Sequence, residues 1–139
     1  INGETAVRAS ASGFSQQFFG IGGNVNISDF TIIYDANYVA YDDDVGTVFP
    51  TYLISAVYNI DQYQPYVTYS KADHWQTKSD NEEDYEEHYM ASIGLRYNLS
   101  SKASAKLQFD HFEDEGDKAT GWDYHGNSQT VSAAVDFIF

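Results

Sequence analysis

Residues Thr130 to Phe139 read TVSAAVDFIF and alternate strictly between two kinds of side chain. Val131, Ala133, Val135, Phe137 and Phe139 fall on one face, and Thr130, Ser132, Ala134 and Asp136 on the other. Successive side chains of a strand point to opposite faces, so one apolar and one mostly polar face describe a wall between unlike media. A soluble sheet can be patterned this way too. It seldom ends the chain on an aromatic of the apolar face with no polar tail to solvate it.

Working back from this stretch, the two-residue period recurs in seven more segments. Gln129 to Phe139 is the last of the eight, preceded by Ala103–Phe112, His88–Asn98, Tyr63–Lys71, Thr51–Asn59, Phe30–Tyr41, Gln17–Ile27 and a weaker Thr5–Ser12. One face carries Ala105, Leu107 and Phe109, then Tyr89, Ala91, Ile93, Leu95 and Tyr97, then Tyr52, Ile54, Ala56 and Tyr58. The opposite face carries Ser, Thr, Asn, Gln and Gly together with Arg8, Asp35, Arg96, Lys106, Asp110 and Asp136.

The connections alternate in length. Asn26–Asp29, Asn59–Gln62 and Asn98–Lys102 are short and rich in Asn, Asp and Ser, which favour tight turns through side-chain to backbone hydrogen bonds. Asp42–Phe49, Ala72–Glu87 and Glu113–Ser128 are longer and acidic. Short turns on one side and long loops on the other are the asymmetry of outer-membrane barrels, where the short turns are periplasmic. Tyrosines then fall into two bands on the apolar face, Tyr58, Tyr63 and Tyr97 with Phe139 at the short-turn rim and Tyr38, Tyr52, Tyr69 and Tyr89 at the other. Aromatic rings with a polar tip concentrate at membrane interfaces. The expected fold is an all-β, antiparallel transmembrane β-barrel segment spanning residues 1–139, with Arg8, Asp35, Arg96, Lys106, Asp110 and Asp136 lining its lumen.

Composition bounds the alternatives. At 139 residues the chain is one domain, 17% aromatic, with a mean hydropathy of -0.46, which fits alternation better than apolar runs. Its apolar runs are far shorter than the roughly 20 residues a membrane-spanning helix needs. The net charge of -14, with seven scattered Lys and Arg, argues against nucleic acid, whose binding needs clustered basic residues. Without cysteine there is no disulfide or thiolate chemistry. No signal peptide is evident, so the sequence reads as a mature chain or a fragment.

The terminal strand resembles the C-terminal strand of Gram-negative outer-membrane barrels, in which the closing aromatic and alternating residues signal to the barrel-assembly machinery. On that resemblance Val135, Phe137 and Phe139 form the assembly signal. The stretch Ser92 to Asp114, followed by Val131 to Phe139, also resembles the last strands of porin-like proteins of marine gammaproteobacteria. The shared features are a Gly-x-Arg-Tyr strand at Gly94–Tyr97, a short turn, and a closing strand ending Asp136-Phe137-Ile138-Phe139, while the strand Ala103–Asp110 carries the Ala, Lys and Asp of the family's Ala-x-Lys-x-x-Asp pattern at a different spacing. Such porins have about 16 strands. The resemblance therefore implies the C-terminal half of a larger porin, completed by its own N-terminal half, and brings in a homotrimer, outer-membrane lipid and lipopolysaccharide as partners.

The function expected is passive diffusion of small hydrophilic solutes or ions across the bacterial outer membrane. The acidic blocks Asp42–Asp44, Asp80–Glu87 and Glu113–Asp117 would concentrate cations at a pore mouth, giving a mild cation preference tempered by Arg8, Arg96 and Lys106. Two alternatives stay open: a complete small eight-stranded outer-membrane barrel with a filled interior and a structural or surface-binding role, and a soluble lipocalin-like barrel with its apolar face inward. No cofactor is implied and catalysis is not expected. His74, His88 and His125 lie at loop edges, but no Gly-x-Ser-x-Gly nucleophile motif exists, and His111 has the parity of an interfacial aromatic. Neither a Ca²⁺-loop spacing in Asp110–Asp117 nor a zinc-like His pair is present, so no metal site is expected.

Overall fold

A computed structural model describes residues 2–12, 16–41, 46–76, 87–116 and 126–138, with residues 2–12 and 75–76 described by their backbone. These residues contain strands and no helix. The backbone of β1 (Asn2–Ser12) pairs with the first of seven long strands: β2 (Gln16–Ile27), β3 (Phe30–Tyr41), β4 (Thr47–Tyr58), β5 (Tyr63–Ala72), β7 (His88–Ser100), β8 (Ala103–Asp114) and β9 (Ser128–Phe137), with the two-residue β6 (Trp75–Gln76) between β5 and β7. Every pairing is antiparallel and, β6 apart, joins strands in chain order, so the sheet is a meander. Its edges are β1 and β9, which do not pair with each other. Closure needs a ladder between first and last strands, so the closed small barrel, one of the expected forms, is not what these residues build.

Register carries the sequence alternation across the whole sheet. One row of neighbours runs Val25, Ile32, Ala56, Val67, Ile93, Phe109, Val131. The adjacent row runs Asn24, Ile33, Ser55, Thr68, Ser92, Asp110, Thr130. A slip of one residue in any strand would exchange its faces, and along these two rows none of the seven slips. Ile33 is the one apolar departure in the polar row. Among the described residues no second layer packs on the sheet, and Val48 is the only buried hydrophobic residue. A soluble domain buries its apolar faces between two layers. Here Ile93 is 60% exposed and Val131 71%, while Ser92 is only 7% exposed.

The short turns close tightly. Ser28 and Asp61 take φ values of 52° and 51°, the left-handed conformation that short polar residues enter by bonding locally. Asn59 joins two of these turns, because its backbone N–H donates to the Asp29 carbonyl at 2.8 Å and its Nδ2 to the same oxygen at 2.9 Å. Gln64 Nε2 donates to Asn59 Oδ1 at 2.8 Å. In the third turn, a register irregularity between Asn98 and Ser100 is followed by a bond from the Lys102 N–H to Ser100 Oγ at 3.2 Å.

At the other end the structure corrects the expected loops. Thr47–Phe49 is strand rather than loop, and β4 pairs with β3 from Val48 to Pro50 opposite Ala40 to Tyr38. The expected loop after Ala72 continues the ladder instead, with Trp75 opposite Val48 and Gln76 opposite Thr47. Pro50 explains the interruption between β5 and β6. Its carbonyl accepts from Asp73 N–H at 3.0 Å, but a proline has no N–H to return the second bond of the pair.

Candidate functional site: a polar wall between two rims

Asp35, Arg96, Lys106, Asp110 and Asp136 share the polar face by register, and the backbone of Arg8 stands opposite Gly20 on that face. They do not form one cluster. Asp35 belongs to β3, where Asn37 Nδ2 donates to its Oδ1 and Gly22 leaves room for its carboxylate. Asp136 lies on β9, opposite Ser104. Arg96, Lys106 and Asp110 come together on β7 and β8.

Three cross-strand rows make up this part of the wall. Gln64, Arg96 and Lys106 form the first, Tyr66, Gly94 and Gln108 the second, Thr68, Ser92 and Asp110 the third. Gly94 is the pivot, since a Cβ there would collide with the Tyr66 ring. With that space open, Tyr66 reaches across β7, and its hydroxyl donates to Gln108 Oε1 at 2.6 Å. Gln108 Nε2 donates to Asp110 Oδ1 at 2.5 Å, and Ser92 Oγ donates to the same oxygen at 2.6 Å. Two donors therefore converge on one carboxylate oxygen. Lys106 Nζ stands 5.3 Å from the centroid of the Tyr66 ring, within cation–π range. The Ser55 and Thr68 hydroxyls meet at 2.7 Å.

A cavity of about 390 Å³ opens on this face, with Ile33 of β3 and Lys106 of β8 both in its lining. The sheet thus curls toward its polar side. A second cavity of about 480 Å³, nearer the short turns, is shared by Arg96, Lys102, Ser104 and Asp136.

On the apolar face the aromatics stand at two levels. At the short-turn level Phe30 and Tyr58 lie 4.6 Å apart between ring centroids and Tyr63 and Tyr97 4.9 Å, while Tyr97 Oη donates to Gln62 Oε1 at 2.7 Å. At the other level Tyr69 stacks on Tyr89 at 5.8 Å, and Tyr38 stands opposite Pro50. Tyr52 Oη donates to Asp73 Oδ2 at 2.5 Å and Tyr89 Oη to Glu113 Oε2. Lys71 keeps the apolar parity, opposite Tyr52 and Tyr89, and is held by Glu87, by Asp73 at 3.3 Å and by Glu115 at 3.6 Å. From Tyr89 to Tyr97 the strand rises about 26 Å, or about 20 Å of height at a barrel tilt near 40°, close to the apolar band of about 25 Å in outer-membrane barrels.

Several of these groups escaped the sequence reading. Lys71 simply continues the series Tyr63, Pro65, Val67, Tyr69, and that signal was available. Tyr66, Ser92, Gly94 and Gln108 depend on register between strands, which no single segment carries. The same holds for Asp114, whose Oδ1 accepts from Gly116 N–H at 2.9 Å and whose Oδ2 accepts from Gly126 N–H at 3.2 Å, joining both ends of a long loop. Among the histidines, His74 stacks on Phe49 at 4.5 Å, His88 leans on Phe112 at 5.1 Å, and His111 lies 3.5 Å from Glu113. His125 and Phe139, and the acidic blocks Asp42–Asp44 and Asp80–Glu86, lie outside the described residues, as does Asp117. No family model, curated protein or solved structure matches the chain.

Proposed function

We propose that this sheet is part of the wall of an outer-membrane pore that lets small hydrophilic solutes or ions diffuse passively, with a mild preference for cations. The observation that carries the reading is the inversion of faces: an exposed apolar side bounded by two aromatic levels, and a concave side that is polar and charged. Charged groups facing hydrocarbon cost a few kcal/mol each, so the polar side is the one assigned to water. The open edges β1 and β9 favour a wall completed by further strands, as in the larger porin that the terminal strands resemble, over a self-contained small barrel. A lipocalin-like barrel would need the apolar residues on the concave side. On this reading the aromatic levels meet lipid and lipopolysaccharide, Val135 and Phe137 contribute to recognition by the barrel-assembly machinery, and no catalytic step or cofactor takes part.

The test is conductance of the full-length protein in planar bilayers under a KCl gradient. Stepwise ohmic openings with a reversal potential toward that of K⁺ are expected. Absence of conductance, or a reversal potential toward Cl⁻, would refute the reading.

A further inference from the structure

Arg96 and Lys106 stand directly opposite each other on neighbouring strands. Like charges in that arrangement are destabilising, and a fold ordinarily relieves them with a carboxylate. Among the described residues neither cation makes an ion pair. Asp110, four residues along β8 from Lys106, takes the hydrogen bonds of Ser92 and Gln108 instead. Asp136, one row toward the short turns, pairs with neither. The only compensation among the described residues is the face of Tyr66 beneath Lys106, and Tyr66 is held there by Gln108 across the gap left by Gly94. Both cations border the cavity of about 390 Å³, with the Gln64 amide in the same row. Arg96 also borders the second cavity, where Ser104 is 3% exposed and its hydroxyl lacks a partner.

From this geometry we propose that Arg96 and Lys106, with Gln64, form a binding subsite for a small oxyanion of the carboxylate, sulfate or phosphate class. A guanidinium fork and an ammonium in one row supply several convergent donors to a group with two or more oxygens, and the anion removes the repulsion between them. A monatomic halide satisfies fewer of these donors. The subsite would give an otherwise acidic protein a local hold on anionic solutes, and its existence does not depend on conduction.

Inorganic sulfate is the probe, titrated by calorimetry into the full-length protein in a zwitterionic detergent at constant ionic strength. Saturable binding is expected, weakened about tenfold in Arg96→Gln and in Lys106→Gln, as for loss of one charge-assisted hydrogen bond. Lys106→Arg should retain it, and so should Lys71→Gln, which removes a cation at the distant rim. Far-UV circular dichroism confirms that each variant is folded. If the parent binds no sulfate saturably, if both glutamine variants bind as it does, or if Lys71→Gln weakens binding equally, the subsite is refuted.

Discussion

The two faces of β7 differ more than any two ends of the molecule. Along one face Tyr89, Ala91, Ile93, Leu95 and Tyr97 form hydrogen bonds at the two ends, from Tyr89 to Glu113 and from Tyr97 to Gln62, and Ile93 between them is largely exposed. Along the other, Ser92 is buried and bonded, Gly94 receives a ring, and Arg96 faces a cavity. A water-soluble sheet saves its hydrogen-bonded detail for edges and loops and fills its hidden face with hydrocarbon. Here the specific, directional chemistry is on the concave polar face and the generic apolar surface is on the other. The stabilising medium for the second face has to come from elsewhere, which on the proposed reading is lipid.

The sharpest way to break this contrast is to charge the apolar face midway between its aromatic levels. Ile93→Arg should destabilise the full-length protein by about 2–4 kcal/mol in urea-dependent folding into phosphatidylcholine vesicles. An unchanged midpoint would mean that Ile93 does not meet hydrocarbon. A smaller effect is expected from filling the polar face. Gly94→Val forces Tyr66 off its site, so a loss of about 1–3 kcal/mol should appear in the same assay, as for other overpacked positions. Stability equal to the parent would show that Tyr66 has another place to go. The smallest effect tests the rim, where Lys71→Gln releases the partly exposed Glu87 and Glu115 and the buried Asp73, which Tyr52 still holds, and should cost about 1 kcal/mol, shrinking further in high salt. A loss as large as that of Ile93→Arg would place Lys71 well inside the apolar band.

Much of this was legible in the sequence because the side-chain period of a strand is so short. Two-residue alternation located each long strand, and Asn, Asp and Ser located the three short turns, since those signals are local. Thr47–Phe49 lay within the expected acidic loop Asp42–Phe49, yet the strand runs through it, since the missing N–H of Pro50 falls on the side facing Asp73 and its pairing with β3 is intact. Parity also assigned Arg96, Lys106 and Asp110 to one face. It could not show that Asp110 is taken by Ser92 and Gln108 while the two cations go without a carboxylate, because that follows from which residues stand opposite each other.

The free edges of β1 and β9 set an order of events. Each presents a line of backbone N–H and C=O groups, and hydrocarbon offers nothing to bond them, at a cost of several kcal/mol for every group left bare. Such a sheet cannot enter a bilayer first and find its neighbours afterwards. On the proposed reading its seams must be held, by companion strands or by an assembly factor acting as a temporary one, until the moment of insertion. Delivery to the membrane and completion of the hydrogen-bond ladder then become a single step, and any delay in sealing leaves two strand edges open to aggregation.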